Sequence, residues 1–173
     1  LLGKIEKYLL KNDLTDNQRH KAYMFLMFWK ILADTGIRPF VRDRNDNPCE
    51  LKELDRNGKY ITFARFEKGI RYVANGSKAS IKIADELNDY YKEHKIKNEQ
   101  LCMVGLDGKV LTKKAYEIGY RDIKKIIGWD KMKDEHGRTL QSYSIRHMHI
   151  TESLKRGERK IDIAKRCGTS VEQ

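Results

Sequence analysis

Residues 60–76 read YITFARFEKGIRYVANG. From Tyr60 to Phe66, aromatic and β-branched residues alternate with others, which is typical of a strand with one buried face. Lys68-Gly69 supplies a turn, and Arg71 to Ala74 can return as the partner strand. We therefore predict a β-hairpin here. On both sides of the hairpin the apolar residues recur at helical spacing. The hairpin therefore decides between an all-helical fold class and a mixed one.

The segments that flank the hairpin predict helices. Residues 3–11 form a short amphipathic stretch, and a longer apolar helix begins near Thr15 and ends at Gly36, a residue that readily adopts the left-handed conformation of helix ends. Four further helices are predicted, over residues 77–94, 112–126, 143–155 and 161–166. In the helix that follows Thr112, the residues expected to face inward are Ala115, Ile118, Ile123 and Ile126.

Two polar segments separate these elements. Residues 42–47 are expected to form a surface insertion, and residues 128–140 a loop. The predicted fold class is therefore mixed α+β, mainly α-helical with a small antiparallel β-sheet.

Length and composition indicate one globular domain. The chain has 173 residues, of which 39% are hydrophobic and 35% charged. Its longest apolar run, residues 22–29, is much shorter than the roughly 20 residues that cross a bilayer. Because the first residues do not read as a secretion signal, we expect a cytoplasmic protein. The three cysteines are widely spaced and outside any CxxC pattern, so reduced thiols are expected rather than disulfides or a zinc site.

The charge balance points to a polyanionic partner. Lysine and arginine total 36 against 25 aspartates and glutamates, which gives a formal net charge of +11. Nucleic acid is the commonest partner of such a domain, because each neutralised phosphate releases condensed counterions. A generically basic, solvated surface is the alternative, and charge alone does not decide between them.

Two segments carry an arginine where a helix meets a loop: Thr35-Gly36-Ile37-Arg38 and Tyr143-Ser144-Ile145-Arg146-His147. A guanidinium can donate two parallel hydrogen bonds to phosphate oxygens, and two such groups can neutralise a phosphoryl centre as it gains negative charge. Either arginine alone would be read as a surface charge or a salt-bridge partner. Together they suggest phosphoryl chemistry.

These segments resemble the tyrosine recombinase family, which includes phage integrases and Xer-type resolving enzymes. Thr35 to Arg38 is similar to the first arginine box of the family, Glu67-Lys68-Gly69 to its hairpin lysine, and Tyr143 to His147 to its second arginine box. The resemblance continues through Gly168-Thr169-Ser170 and covers nearly the whole chain.

The resemblance implies a transesterification without metal ion or cofactor, in which a tyrosine forms a 3′-phosphotyrosyl link to DNA and frees a 5′-hydroxyl. Arg38 and Arg146 would clamp the non-bridging oxygens of the scissile phosphate, and Lys68 would protonate the departing 5′-oxygen. Lys59 and Lys78, at either end of the hairpin region, are the alternatives for the lysine.

Three positions depart from the family pattern. Tyr143 stands where the family has histidine or lysine, and its phenol can hydrogen-bond a phosphate but is a poor base at neutral pH. Thr169 stands at the position of a later histidine or tryptophan and can donate one hydrogen bond, and Val41 replaces an acidic residue. The catalytic set that the resemblance implies is Arg38, Lys68, Tyr143, Arg146 and Thr169.

The family's nucleophilic tyrosine lies one or two helical turns beyond the Gly-Thr-Ser segment, and none of the nine tyrosines of this chain lies there. The resemblance therefore implies that residues 1–173 are a single catalytic domain, without the N-terminal DNA-clamping domain and the tyrosine-bearing C-terminal segment. We expect this piece to bind double-stranded DNA attachment sites without cleaving them. The full-length protein would act as a homotetramer on paired sites.

A second basic cluster is expected to contact the DNA backbone, and it consists of Lys155, Arg156, Arg159 and Lys160. Of the two histidines near the second arginine, His147 is expected to pack behind the site. His147 and His149 diverge by about 200° on a helix and so cannot share a metal ion.

Two other functions fit parts of the sequence. Residues 161–172 also read as helix, turn and helix, with Gly168 at the turn and Ser170 as a cap, which would make the chain a non-enzymatic helix-turn-helix regulator. Such a regulator would not need Arg38 or Lys68. A basic structural or RNA-binding protein is the third possibility, but no aromatic stacking motif supports it.

Overall fold

The computed structural model describes residues 2–39, 51–67, 70–97, 101, 103–134 and 136–167. Helices account for most of the regular structure in these ranges, which confirms the predicted fold class. No helix among them is both long and apolar enough to cross a membrane. In chain order the elements are α1 (Leu2–Leu9), α2 (Asp16–Thr35), β1 (Lys52–Arg56), β2 (Ile61–Glu67), β3 (Ile70–Gly76), α3 (Lys78–Glu93), α4 (Lys113–Ile126), a 3-10 turn (Trp129–Lys131), α5 (Ser142–Lys155) and α6 (Lys160–Cys167).

Helix α2 forms the centre of the core. At its start the Thr15 side chain accepts a hydrogen bond from the backbone N–H of Gln18, whose side chain accepts one from Thr15 N–H in return. Gly36 ends it in the left-handed conformation, with φ of 65°. Both ends lie where the sequence predicts them. Between them Trp29 is fully buried and meets Trp129 edge-on, with ring centroids 4.7 Å apart.

The sheet contains three antiparallel strands in the order β1-β2-β3. Strands β2 and β3 pair from Ile61 with Gly76 to Glu67 with Ile70, which confirms the predicted hairpin, although residues 68–69 of its turn lie outside the described part. Sequence analysis did not predict β1. Its sequence, KELDR, has no apolar alternation, because this edge strand is held by pairing with β2 rather than by burial.

The prediction for α4 is right in extent, and of the four residues predicted to face inward it is right for Ile123 alone. Ala115 is exposed, and Ile118 and Ile126 are 39% and 44% exposed. The buried face consists of Tyr116, Gly119 and Ile123. Glycine at 119 lets α4 approach α2 closely, since a Cβ there would lie 2.8 Å from Phe25 Cε2.

The segment 128–140 is not only a loop. Trp129, on the 3-10 turn, is 1% exposed and places its indole in the core. The polar residues around it led to the prediction of a loop, and this core residue was missed. Lys133 and Thr139 form an isolated antiparallel bridge further along. The predicted surface insertion at 42–47 lies outside the described residues.

Candidate active site

The first arginine segment leaves α2 through a tightly bonded turn. Gly36 N–H donates to Leu32 O at 2.9 Å, and Thr35 Oγ1 donates to Ile31 O at 2.7 Å while accepting from Ile37 N at 3.3 Å. Ile37 is fully buried and anchors the turn in the core. Arg38 follows directly and is half-buried.

Asp34 joins this end of α2 to the start of α3. Its carboxylate accepts from Ser77 N and Ser77 Oγ, both at 2.7 Å, and from Ser80 Oγ at 2.5 Å. Ser77 Oγ also caps α3 by accepting from Ala79 N. Asp34 was not among the residues predicted for the site. The sequence shows an acidic residue near the end of α2 and a serine after the hairpin that can cap a helix. Their importance follows only from the contact between them in the fold.

Arg146 lies on the first half of α5 and reaches the first arginine segment. Its Nη1 donates to Gly36 O at 2.6 Å and to Cys167 O. Both carbonyls lie at the C-terminal ends of helices, α2 and α6, where the helix dipole favours a positive charge. Arg146 as a whole is 3% exposed, and its guanidinium connects three helices. Arg146 makes no hydrogen bond from Nη2 or Nε to the residues that the structure describes.

Tyr143 lies one helical turn before Arg146, on the same side of α5. The Tyr143 ring centroid lies 5.8 Å from Arg146 Cζ, a distance at which the ring face attracts the cation. The tyrosine is half-buried and lines a pocket of about 190 Å³ between the first turns of α4 and α5, with Lys113 and Glu117 on its rim.

The prediction for His147 is wrong. Its side chain is exposed, with its ring 5.4 Å from that of Tyr143. The histidine that packs behind Arg146 is His149, which is 7% exposed and bonds Ala33 O through Nδ1 at 2.8 Å. Burial lowers the pKa of His149 below the ordinary histidine value. The helical phase is the reason, because residues three apart share a face and adjacent residues do not.

The chain and its fold were compared with known proteins. No family model and no curated protein matches the sequence. A solved structure of XerH site-specific recombinase bound to difH substrate, a pre-cleavage complex, matches with a TM-score of 0.62 at 21% identity over 99% of this chain and 46% of that one. A post-cleavage complex with palindromic difH substrate gives a TM-score of 0.62 at 22% identity over 99% and 45%.

The chain has the fold of a site-specific recombinase domain. The recombinase fold takes in nearly the whole chain, and the chain spans about half the length of the XerH chains that it matches. The tyrosine-recombinase-like fold predicted from the sequence is confirmed.

Two residues of the predicted catalytic set lie outside the described part of the recombinase fold. These are Lys68, in the hairpin turn, and Thr169, after α6. The two alternative lysines, Lys59 and Lys78, are both exposed. The structure therefore brings the second arginine to the segment that carries the first, and leaves the lysine and the threonine as predictions.

The predicted backbone-contacting cluster surrounds the turn between α5 and α6 on the surface of the recombinase fold. Three of its four cations form ion pairs, at N to O distances of 2.7 to 2.9 Å: Lys155 with Glu152, Arg156 with Glu158 and Arg159 with Asp162. Lys160 is exposed. The carboxylates neutralise much of the charge that the sequence suggested for this face.

Proposed function

We propose that this chain is the catalytic part of a tyrosine-type site-specific DNA recombinase. The observation that carries the proposal is the hydrogen bond from Arg146 Nη1 to Gly36 O, which joins the two arginine segments across 110 positions of the chain. A fold shared with XerH over 99% of the chain supports it.

In the proposed reaction, a tyrosine hydroxyl supplied by the full-length protein attacks the phosphorus of one DNA strand. The new bond joins the phenolic oxygen to phosphorus, and the bond from phosphorus to the 5′-oxygen breaks. The phenol releases its proton to solvent water, and Lys68 donates one to the departing 5′-oxygen. Arg38 and Arg146 hold the two non-bridging oxygens as negative charge grows on them. Rejoining reverses these steps with the 5′-hydroxyl of another strand.

The contacts of Arg146 support its proposed role at the phosphate. Arg146 keeps Nη2 and Nε for the phosphate because the described residues engage only Nη1. Since Arg146 is 3% exposed, DNA binding must open the approach to it. Tyr143 and Thr169 donate hydrogen bonds at positions where the family has residues that can also exchange protons.

The proposed partner is double-stranded DNA, which matches the net charge of +11. We propose that the chain binds attachment sites of a mobile element such as a phage, and that the full-length protein works as a homotetramer on two such sites. The chain spans about half of the XerH chains, which is consistent with a DNA-clamping domain and a nucleophilic tyrosine outside residues 1–173. By itself the chain should then bind DNA and cleave none.

The test is covalent trapping by the full-length protein. Short nicked duplexes tiled across the DNA that flanks its gene should yield a protein–DNA adduct that resists denaturation. Arg38→Ala and Arg146→Lys should lower the yield by roughly a hundredfold or more, as loss of an oxyanion donor does. Lys92→Ala, which removes an exposed cation paired with Asp89 on α3, should leave the yield unchanged.

The regulator reading makes the opposite prediction. A helix-turn-helix protein would bind one of these duplexes specifically, form no adduct, and keep its affinity in Arg38→Ala. A helix-turn-helix needs two helices, and of these the described part includes α6 only. The trapping and binding assays therefore decide between the two functions.

A further inference from the structure

His149 forms a contact between α5 and the last turn of α2. Nδ1 lies 2.8 Å from Ala33 O. A carbonyl oxygen only accepts, so Nδ1 must carry the proton, and neutral His149 then has its lone pair on Nε2. Nε2 is buried without a hydrogen-bond partner among the described residues. The ring is therefore held through one nitrogen, in one tautomer.

The same ring limits the space around Gly36. A Cβ at Gly36 would lie 2.5 Å from His149 Cδ2 and 2.6 Å from Cys167 Sγ. Gly36 in turn presents its carbonyl to Arg146 Nη1 at 2.6 Å. His149 and Arg146 thus contact the same short segment. His149 bonds Ala33 O and packs beside Gly36, and Arg146 bonds Gly36 O.

We propose that His149 is a positioning residue, which fixes the end of α2 so that Gly36 O holds Arg146 and the chain delivers Arg38 beside it. The proposal rests on the proposed function, in which these two guanidinium groups bind one phosphate. His149 touches neither DNA nor the reacting atoms. It acts by keeping the two arginine segments in one arrangement.

Burial makes His149 sensitive to pH, because it disfavours a charge on the ring more than the bond to Ala33 O favours one. Arg166 on α6 also opposes protonation of the ring, whereas Asp34 on α2 and Glu158, which precedes α6, favour it. Arg146 lies three residues before it on α5, and the Cys167 thiol packs against Gly36. The packed position of the ring, rather than the Nδ1–H bond itself, should therefore lose stability as pH falls below the ordinary histidine range.

The first test uses the chain alone and follows the Arg146 guanidinium by ¹⁵N NMR. In the unmodified chain Nη1 and Nη2 should give separate signals, because a bonded guanidinium rotates slowly. His149→Phe fills the ring space without a donor and should average the two signals. His149→Asn places an N–H where Nδ1–H was and should keep them separate. His147→Phe, the same change at the exposed neighbour, should have no effect.

Folding is monitored by the thermal midpoint of each variant. If His149→Phe does not fold, the ¹⁵N shifts of His149 in the unmodified chain decide: the Nδ1-protonated tautomer supports the proposal, and the Nε2-protonated tautomer overturns it. A folded His149→Phe with two separate Arg146 signals also overturns it.

The second test uses the full-length protein and the nicked duplex that traps best. His149→Phe should slow adduct formation by roughly tenfold to a hundredfold while DNA affinity stays unchanged, since a misplaced group lowers rate more than binding. His149→Asn should recover most of the rate and should lose the fall in rate that the unmodified protein shows at acidic pH. Equal rates in all three proteins would refute the positioning role.

The two tests separate the two proposals. If the unmodified full-length protein forms no adduct, the recombinase function fails, while the NMR signals of Arg146 still decide whether His149 fixes it. If an adduct forms and the Arg146 signals are the same in the unmodified chain and in the His149 variants, only the positioning role fails.

Discussion

Two regions of this molecule hold their arginines with different partners, uncharged carbonyls in one and carboxylates in the other. At the junction of α2, α5 and α6, Arg146 is buried and donates to two uncharged carbonyls, those of Gly36 and Cys167. At the turn between α5 and α6, Arg156 and Arg159 are exposed and face the carboxylates of Glu158 and Asp162.

The two kinds of hydrogen-bond partner, carbonyl and carboxylate, differ in how much of the arginine's positive charge they neutralise. Carbonyls orient a guanidinium without neutralising it, so Arg146 keeps its full positive charge. Carboxylates at 2.7 to 2.8 Å satisfy the charge within the protein, and DNA must compete with them. Counting arginines in the sequence does not distinguish these two situations.

Gly36→Ala should have the largest effect, because it disturbs the buried junction in two ways. The left-handed φ of 65° costs an alanine about 1–2 kcal/mol, and the added Cβ would meet His149 and Cys167, which adds about 1–3 kcal/mol. Gly157→Ala in the surface turn is the matched control, since φ is 78° and nothing lies within 4 Å. Urea denaturation should show a clearly greater loss for Gly36→Ala, and equal losses would mean that the junction is not tightly packed.

Arg146→Met should come next in its effect on the free energy of unfolding. It leaves two buried helix-end carbonyls without their donor, at a cost of about 2–4 kcal/mol. Arg159→Met removes an exposed ion pair and should leave the free energy of unfolding nearly unchanged. The comparison between the regions fails if the two variants unfold at the same urea concentration.

Acidification should weaken the buried junction more than the surface turn. Burial lowers the pKa of His149 in the folded chain, so the unfolded chain binds more protons around and below the ordinary value of 6.5. Stability is therefore fully present above that pH and is lost as pH falls through the lowered pKa. His20, whose pKa burial also lowers, adds a loss of the same sign. In thermal melts from about pH 7.5 to about pH 5, His149→Asn should reduce the slope, and an unchanged slope would contradict the assignment.

The smallest effect is expected in the salt dependence of DNA binding. Lys160→Ala should reduce the slope of log affinity against log salt by about 1 if Lys160 contacts a phosphate. Arg159→Ala should reduce it less, because Asp162 already neutralises Arg159. Fluorescence anisotropy with a labelled duplex measures both. A larger change for Arg159 would show that DNA displaces its carboxylate.

Local signals predicted most of the fold. Thr15 and Gly36 mark the ends of α2 through side-chain capping and a left-handed φ, both of which are properties of a few adjacent residues. The alternation from Tyr60 to Phe66 identified β2 for the same reason. Strand β1 and most of the inward face of α4, Tyr116 and Gly119, escaped prediction because partners distant in the chain determine them, namely β2 and Phe25.

The sequence named candidate site residues, of which Lys68 and Thr169 lie outside the described part, but it did not specify the contacts that hold them. The two arginine segments were recognisable, but the bond between Arg146 and Gly36 O is a tertiary contact that no spacing encodes. The packed histidine is His149 and not the predicted His147, because His149 lies three residues after Arg146 and so shares its face of α5. Choosing between the two histidines required knowing that Arg146 faces inward.

The carboxylate of Asp34 has a mechanical consequence. It holds Ser77, the residue directly after the last strand of the hairpin, and it lies four positions before Arg38. The end of the hairpin and the segment that carries Arg38 are thus both attached to Asp34. Two hydrogen bonds from Ser77 to Asp34 therefore couple a displacement of the strands to the end of α2 that precedes Arg38.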